Sequence, residues 1–150
     1  MNFDYLKTNV ELSELYNYCN QAEVFEKEFP DASVRSARNA LEWVIKFFYI
    51  TKYGCYPETS DLFGLIEDSK FKAYAEEPLL SSVHNVRKLG NSASHAERIT
   101  KAMAFLALQS LYNSVGEILK FLGLIGSYPP FSKDSVSGSV PKISEAEKTK

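Results

Sequence analysis

Apolar residues recur at three- and four-residue steps along most of this chain, and a few prolines and glycines mark where the steps break off. From Glu11 to Glu28 the apolar positions are Leu12, Leu15, Cys19 and Ala22. With Asn9 as N-cap and Pro30 as the stop, this predicts an amphipathic helix. A second helix is predicted from a cap at Asp31 or Ser33, with Val34, Ala37, Leu41, Val44, Ile45 and Phe48 on one face. It ends near Tyr53, where Gly54 supplies a left-handed residue. Trp43, Phe47 and Ile50 widen the apolar face nearly all round, so this helix is expected at the centre of the fold.

Pro57, Gly64 and Pro78 surround short apolar groups, which predicts a loop with one or two brief helices, Ser60 capping Asp61 to Glu67. Pro78 suits the first turn of another helix, with Leu79, Leu80, Val83 and Val86 facing inward as far as Gly90. Thr100 is expected to cap a long last helix carrying Ala104, Leu108, Leu111, Val115, Ile118 and Leu122, closed by Gly123. No segment sustains an alternation of period two. The predicted fold class is therefore all-α: a compact bundle of four main helices plus one or two short ones. Residues 1–125 form the expected domain, and 126–150, rich in Ser, Pro, Gly and charge, read as a flexible linker or tail.

Composition narrows the function classes. At 150 residues with 45% hydrophobic and 24% charged positions, the chain can bury a single core without metals or disulfides. It holds no apolar run approaching the roughly 20 residues needed to cross a bilayer, and the start MNFDYLKTNVEL lacks the pattern of an export signal. A cytoplasmic protein without membrane contact is expected. Cys19 and Cys55 form neither a metal knuckle nor a disulfide framework and read as reduced structural residues. A net charge of -2 gives no overall attraction for nucleic acid, so such contact would have to be local. Arg87, Lys88, Arg98 and Lys101 form a basic cluster able to make it.

The candidate chemistry lies in VRKLGNSASH, Val86 to His95, where Arg87, Asn91 and His95 stand four apart, a spacing that aligns side chains on a helix. Gly90 within this run costs roughly 1 kcal/mol in a helix interior, which calls for either a bend or a close helix contact. One reading is catalytic: histidine suits proton transfer near neutrality, and an arginine neutralises charge developing on a phosphate. The other is a polar knot in which Arg38 and Glu42, themselves four apart on the central helix, hold Asn91 and His95. Of the two, the structural or interaction reading is the expected one. His84 with Asn91 or His95 supplies too few good ligands for zinc, so no metal is expected. Phe47, Phe48 and Tyr49, at helical spacing beside Val44 and Ile45, read as core and not as a base-stacking platform. No P-loop pattern occurs, and no cofactor is expected in this segment.

Two blocks, SARNALEWVIKFFY from Ser36 to Tyr49 and VHNVRKLGNSASH from Val83 to His95, carry a resemblance. Together with the long closing helix they resemble the helical domain at the N-terminus of the restriction (R) subunit of type I restriction enzymes, also found in related helicases and prokaryotic defence proteins. That family is similar in turn to the wider HEPN group, and the resemblance spans about Asn2 to Pro130. It implies a non-catalytic accessory module that meets other domains or subunits of a restriction complex, or nucleic acid, through the Arg87 to Arg98 region. The parent protein would be a type I site-specific endodeoxyribonuclease, with nuclease and ATP-driven translocase parts beyond Lys150. The alternative it implies is a metal-independent HEPN-type ribonuclease acting as a homodimer, with Arg87, Asn91 and His95 catalytic. There the match is broken, because Gly90 stands directly before Asn91 where the family carries its arginine.

Overall fold

A computed structural model describes residues 1–58 and 61–133. Among these the chain is helical with no strand, as the periodicity predicted. Two 3-10 turns, Asp4–Thr8 and Val10–Leu12, lead into α1, Ser13–Phe25. Asn9 does cap, its side chain accepting from the Glu11 amide at 2.9 Å, but it opens the 3-10 turn and not the α-helix. The stretch expected as one helix from Glu11 to Glu28 is thus shorter in its α part.

Pro30 begins a helix where it was expected to end one. It is the first residue of α2, Pro30–Tyr53, where its missing N–H would have had no partner in any case. Asp31 and Ser33 accordingly lie inside the first turn instead of capping it. The Ser33 hydroxyl donates to the Ala22 carbonyl at 2.7 Å and ties α1 to α2. Gly54, with φ of 80°, stops α2 as predicted.

α2 is the central helix, packed against α1, α5 and α6. Val34, Ala37, Leu41, Val44, Ile45 and Phe48 are fully buried. It is not apolar all round, however. Ile50 is 49% exposed, and Trp43 and Phe47 are half-buried, stacked on each other with ring centres 5.0 Å apart. The short helices α3, Leu62–Glu67, and α4, Ser69–Lys72, close one flank, where the Tyr49 hydroxyl donates to the Leu65 carbonyl at 2.6 Å. Asp61 caps α3 through the Gly64 amide; the expected cap, Ser60, lies outside the described residues.

The last two helices, α5, Leu79–Ser94, and α6, Lys101–Phe121, complete the bundle. Thr100 caps α6 by accepting from the Met103 amide at 3.1 Å, and Gly123, with φ of 78°, follows its end. The main core is continuous through all four long helices. A small satellite of Val34, Ala93, Ile99, Ala104 and Ala107 sits where α5 turns into α6. No helix among the described residues is long and apolar enough to cross a membrane.

Packing continues beyond residue 125, where a tail was expected. The Tyr128 ring lies over Gly116, and the Tyr112 hydroxyl donates to the Pro129 carbonyl. Asn2 and Ser132 exchange two hydrogen bonds, at 3.0 and 2.8 Å, so this segment is fastened beside the N-terminus. Average composition concealed that Tyr128 and Phe131 are enough to seat a short extended stretch on α6. Residues 134–150 of the expected tail lie outside the described residues.

Candidate functional site

The helix expected to reach Gly90 runs through it to Ser94. Of the two roles open to Gly90, the structure selects the close contact: a Cβ there would come within 2.4, 2.7 and 2.8 Å of Arg38 Cδ, Cβ and Cγ. The Arg38 side chain occupies the space that any larger residue at position 90 would need. α5 is followed, just past its C-cap His95, by Ala96, whose φ of 60° is the left-handed conformation glycine usually supplies. There the Glu97 amide donates to the Ser92 carbonyl at 3.1 Å, and Arg35 donates to the Ala93 carbonyl at 3.0 Å. Arg35 had no distinguishing mark in the sequence.

The predicted polar knot does not form. Arg38 and Glu42 do pair, at a long 3.5 Å, and Glu42 is shared with Lys46 at 2.9 Å. Asn91 is half-buried and His95 exposed, and among the described residues neither makes a side-chain hydrogen bond to Arg38, Glu42 or anything else. His95 is the C-cap residue of α5, its amide still donating to the Asn91 carbonyl at 3.0 Å, and no side chain among the described residues holds its exposed ring in place. Lys88, Arg98 and Lys101 are exposed.

Arg87 turns the other way, toward His84, which the sequence excluded as a metal ligand without naming it as a partner of Arg87. Its Nε–H donates to His84 Nδ1 at 3.1 Å, which requires that nitrogen to be unprotonated. The ring proton then sits on Nε2, which lies 2.8 Å from Glu67 Oε2 and donates to it. Glu67 also accepts from Lys72 at 3.0 Å. These hydrogen bonds, from Lys72 first and His84 second, hold the Glu67 carboxyl below its usual range, so it stays ionised. The Arg87 guanidinium lies over the Phe63 ring, 5.1 Å from its centre. One sequence signal could have found this arrangement: His84 and Arg87 stand three apart, one helical turn.

The chain Lys72, Glu67, His84, Arg87 runs across α4, α3 and α5, and its last two members, His84 and Arg87, line a surface groove of about 360 Å³. Elsewhere, burial pushes the Cys19 thiol well up and keeps it protonated, whereas Cys55 is exposed and packs against no core, contrary to its structural reading. No group of three or more His, Cys, Asp or Glu stands together as for a metal ion among the described residues. No protein-family model matches this chain, and no curated protein or solved structure is similar enough to count as a match.

Proposed function

We propose that this chain is a non-catalytic helical interaction module of the HEPN-like kind, of the sort that stands at the N-terminus of type I restriction R subunits. In this reading it works in the cytoplasm and meets a neighbouring domain or subunit, or nucleic acid, through the outer face of α5. One observation carries the non-catalytic part. The three residues a ribonuclease would need are dispersed: Arg87 is engaged by His84, and Asn91 and His95 have no orienting partner among the described residues. A general acid or base must be aimed, and a histidine at the C-cap of a helix, exposed to water with no side-chain partner among the described residues, is not.

The ribonuclease reading retains one observation in its favour. Arg38 lies across Gly90, the position where the resemblance expects an arginine, so a guanidinium does reach that neighbourhood from another helix. A dimer partner would then have to orient His95. The deciding experiment incubates the purified protein with single-stranded RNA in EDTA, beside the His95→Ala variant. The expected result is no cleavage by either protein; RNA scission that disappears with His95 overturns the proposal.

A further inference from the structure

The groove beside α5 carries a guanidinium that is fixed on two sides and open on the third. An arginine on a helix surface ordinarily samples many rotamers, and a ligand must freeze them. Arg87 is already held: its Nε–H is committed to His84, its guanidinium carbon lies 5.1 Å from the centre of the Phe63 ring, and His84 is itself anchored by Glu67. What remains are the two terminal amino groups, which have no partner among the described residues. This forked pair of donors matches two oxygens of an oxyanion.

We propose that this groove binds a phosphate monoester, gripped by the Arg87 fork and by Lys88, with Phe63 offering an apolar surface to the body of the ligand. Lys88 lines the same groove, is exposed, and has no ion-pair partner among the described residues. Two adjacent cations suit a group that carries about -1.5 to -2 charge at neutral pH and three acceptor oxygens, whereas a carboxylate would neutralise only one of them. Phe63 is 50% exposed, which leaves its ring available for contact. The groove's volume of about 360 Å³ lies within the range of small-molecule sites. Glu77 also lines it and opposes an anion, although its Oε1 is taken by the Ser81 amide at 3.1 Å and hydroxyl at 2.6 Å. His84 and Glu67 are positioning residues that act through Arg87.

Such a phosphate has two natural sources, a free mononucleotide and the phosphorylated end of a nucleic-acid strand. The test is an amide and side-chain NMR titration of the whole chain with AMP, adenosine, and a short RNA bearing either a 5′-phosphate or a 5′-hydroxyl. Saturable shifts at Phe63, Arg87 and Lys88 are expected only with the phosphorylated ligands. If AMP suffices, the source is a nucleotide; if only the phosphorylated RNA binds, it is a strand end, and both results support the site. Arg87→Ala should weaken binding at least about tenfold, the loss of a charge-assisted pair. Arg87→Lys keeps the charge and guards against misfolding, yet should still weaken it several-fold because the fork is gone. Glu77→Gln keeps the acceptor for Ser81 and should tighten binding. Equal response to AMP and adenosine, no saturable shift with any phosphorylated ligand, or full affinity in well-folded Arg87→Ala overturns the proposal. These readouts measure binding alone, so they stand or fall separately from the question of RNA cleavage.

Discussion

The two ends of α5 carry the two histidines of this chain, and they are treated in opposite ways. Near its beginning, His84 is clamped between Glu67 and Arg87, both of its ring nitrogens satisfied by side chains, and it aims a guanidinium into a groove. At its end, His95 stands in water with no partner among the described residues. Residue spacing alone points to His95 as the site, because it falls in step with Arg87 and Asn91. What the contrast teaches is that helical spacing brings residues to one face without fixing their side chains, and that a fixed geometry comes from a neighbouring element. α3 and α4 supply it for His84; no helix among the described residues supplies it for His95.

The strongest way to break this comparison is at Gly90, which lets α5 lie close on Arg38 of α2. Gly90→Ala gains about 1 kcal/mol of helix propensity but forces a methyl group into the Arg38 side chain, an overpacking cost of about 1–3 kcal/mol. A net loss of up to about 2 kcal/mol is expected, read as a Tm lower by up to several degrees. Combining it with Arg38→Ala, which removes Cγ and Cδ but leaves Cβ at 2.7 Å, should restore part of that loss, the non-additivity expected of residues in contact. A stabilised Gly90→Ala would mean that the helices do not meet there.

A smaller change of opposite sign sharpens the description of the exposed end. Ala96 holds a left-handed conformation in which its Cβ is strained, so Ala96→Gly should stabilise the protein by about 0.5–1 kcal/mol, seen as a higher melting temperature. Smallest of all should be His95→Ala, within about 0.5 kcal/mol of the native stability, as for surface positions without partners. His84→Ala differs from it in kind: the Arg87 Nε–H loses its acceptor and should exchange with solvent faster in NMR, a change His95→Ala leaves untouched.

Much of the bundle was legible in the residues alone. The inward faces of α2, α5 and α6, the cap at Thr100 and the stops at Gly54 and Gly123 follow from periodicity and local backbone chemistry, which depend on neighbours a few residues away. Pro30 was legible as a helix boundary but not as which side of it, since proline ends one helix and begins another by the same lack of an N–H. Gly90 was legible as an exception; that it answers to steric contact and not to a bend needed the position of Arg38. The candidate site was the least legible part, because Glu67, His84 and Phe63 come from separate segments.

By itself, then, the order of residues determined which stretches are helical, which faces turn inward and where most of the breaks fall, because each depends on short-range dihedral preferences and on the regular spacing of apolar groups. Tertiary structure alone decided which polar side chains meet. Hydrogen bonds require donors and acceptors about 3 Å apart, and among residues distant in the chain only the packing of helices brings that about. So Glu67 found His84, Gly90 found Arg38, and His95 was left to water.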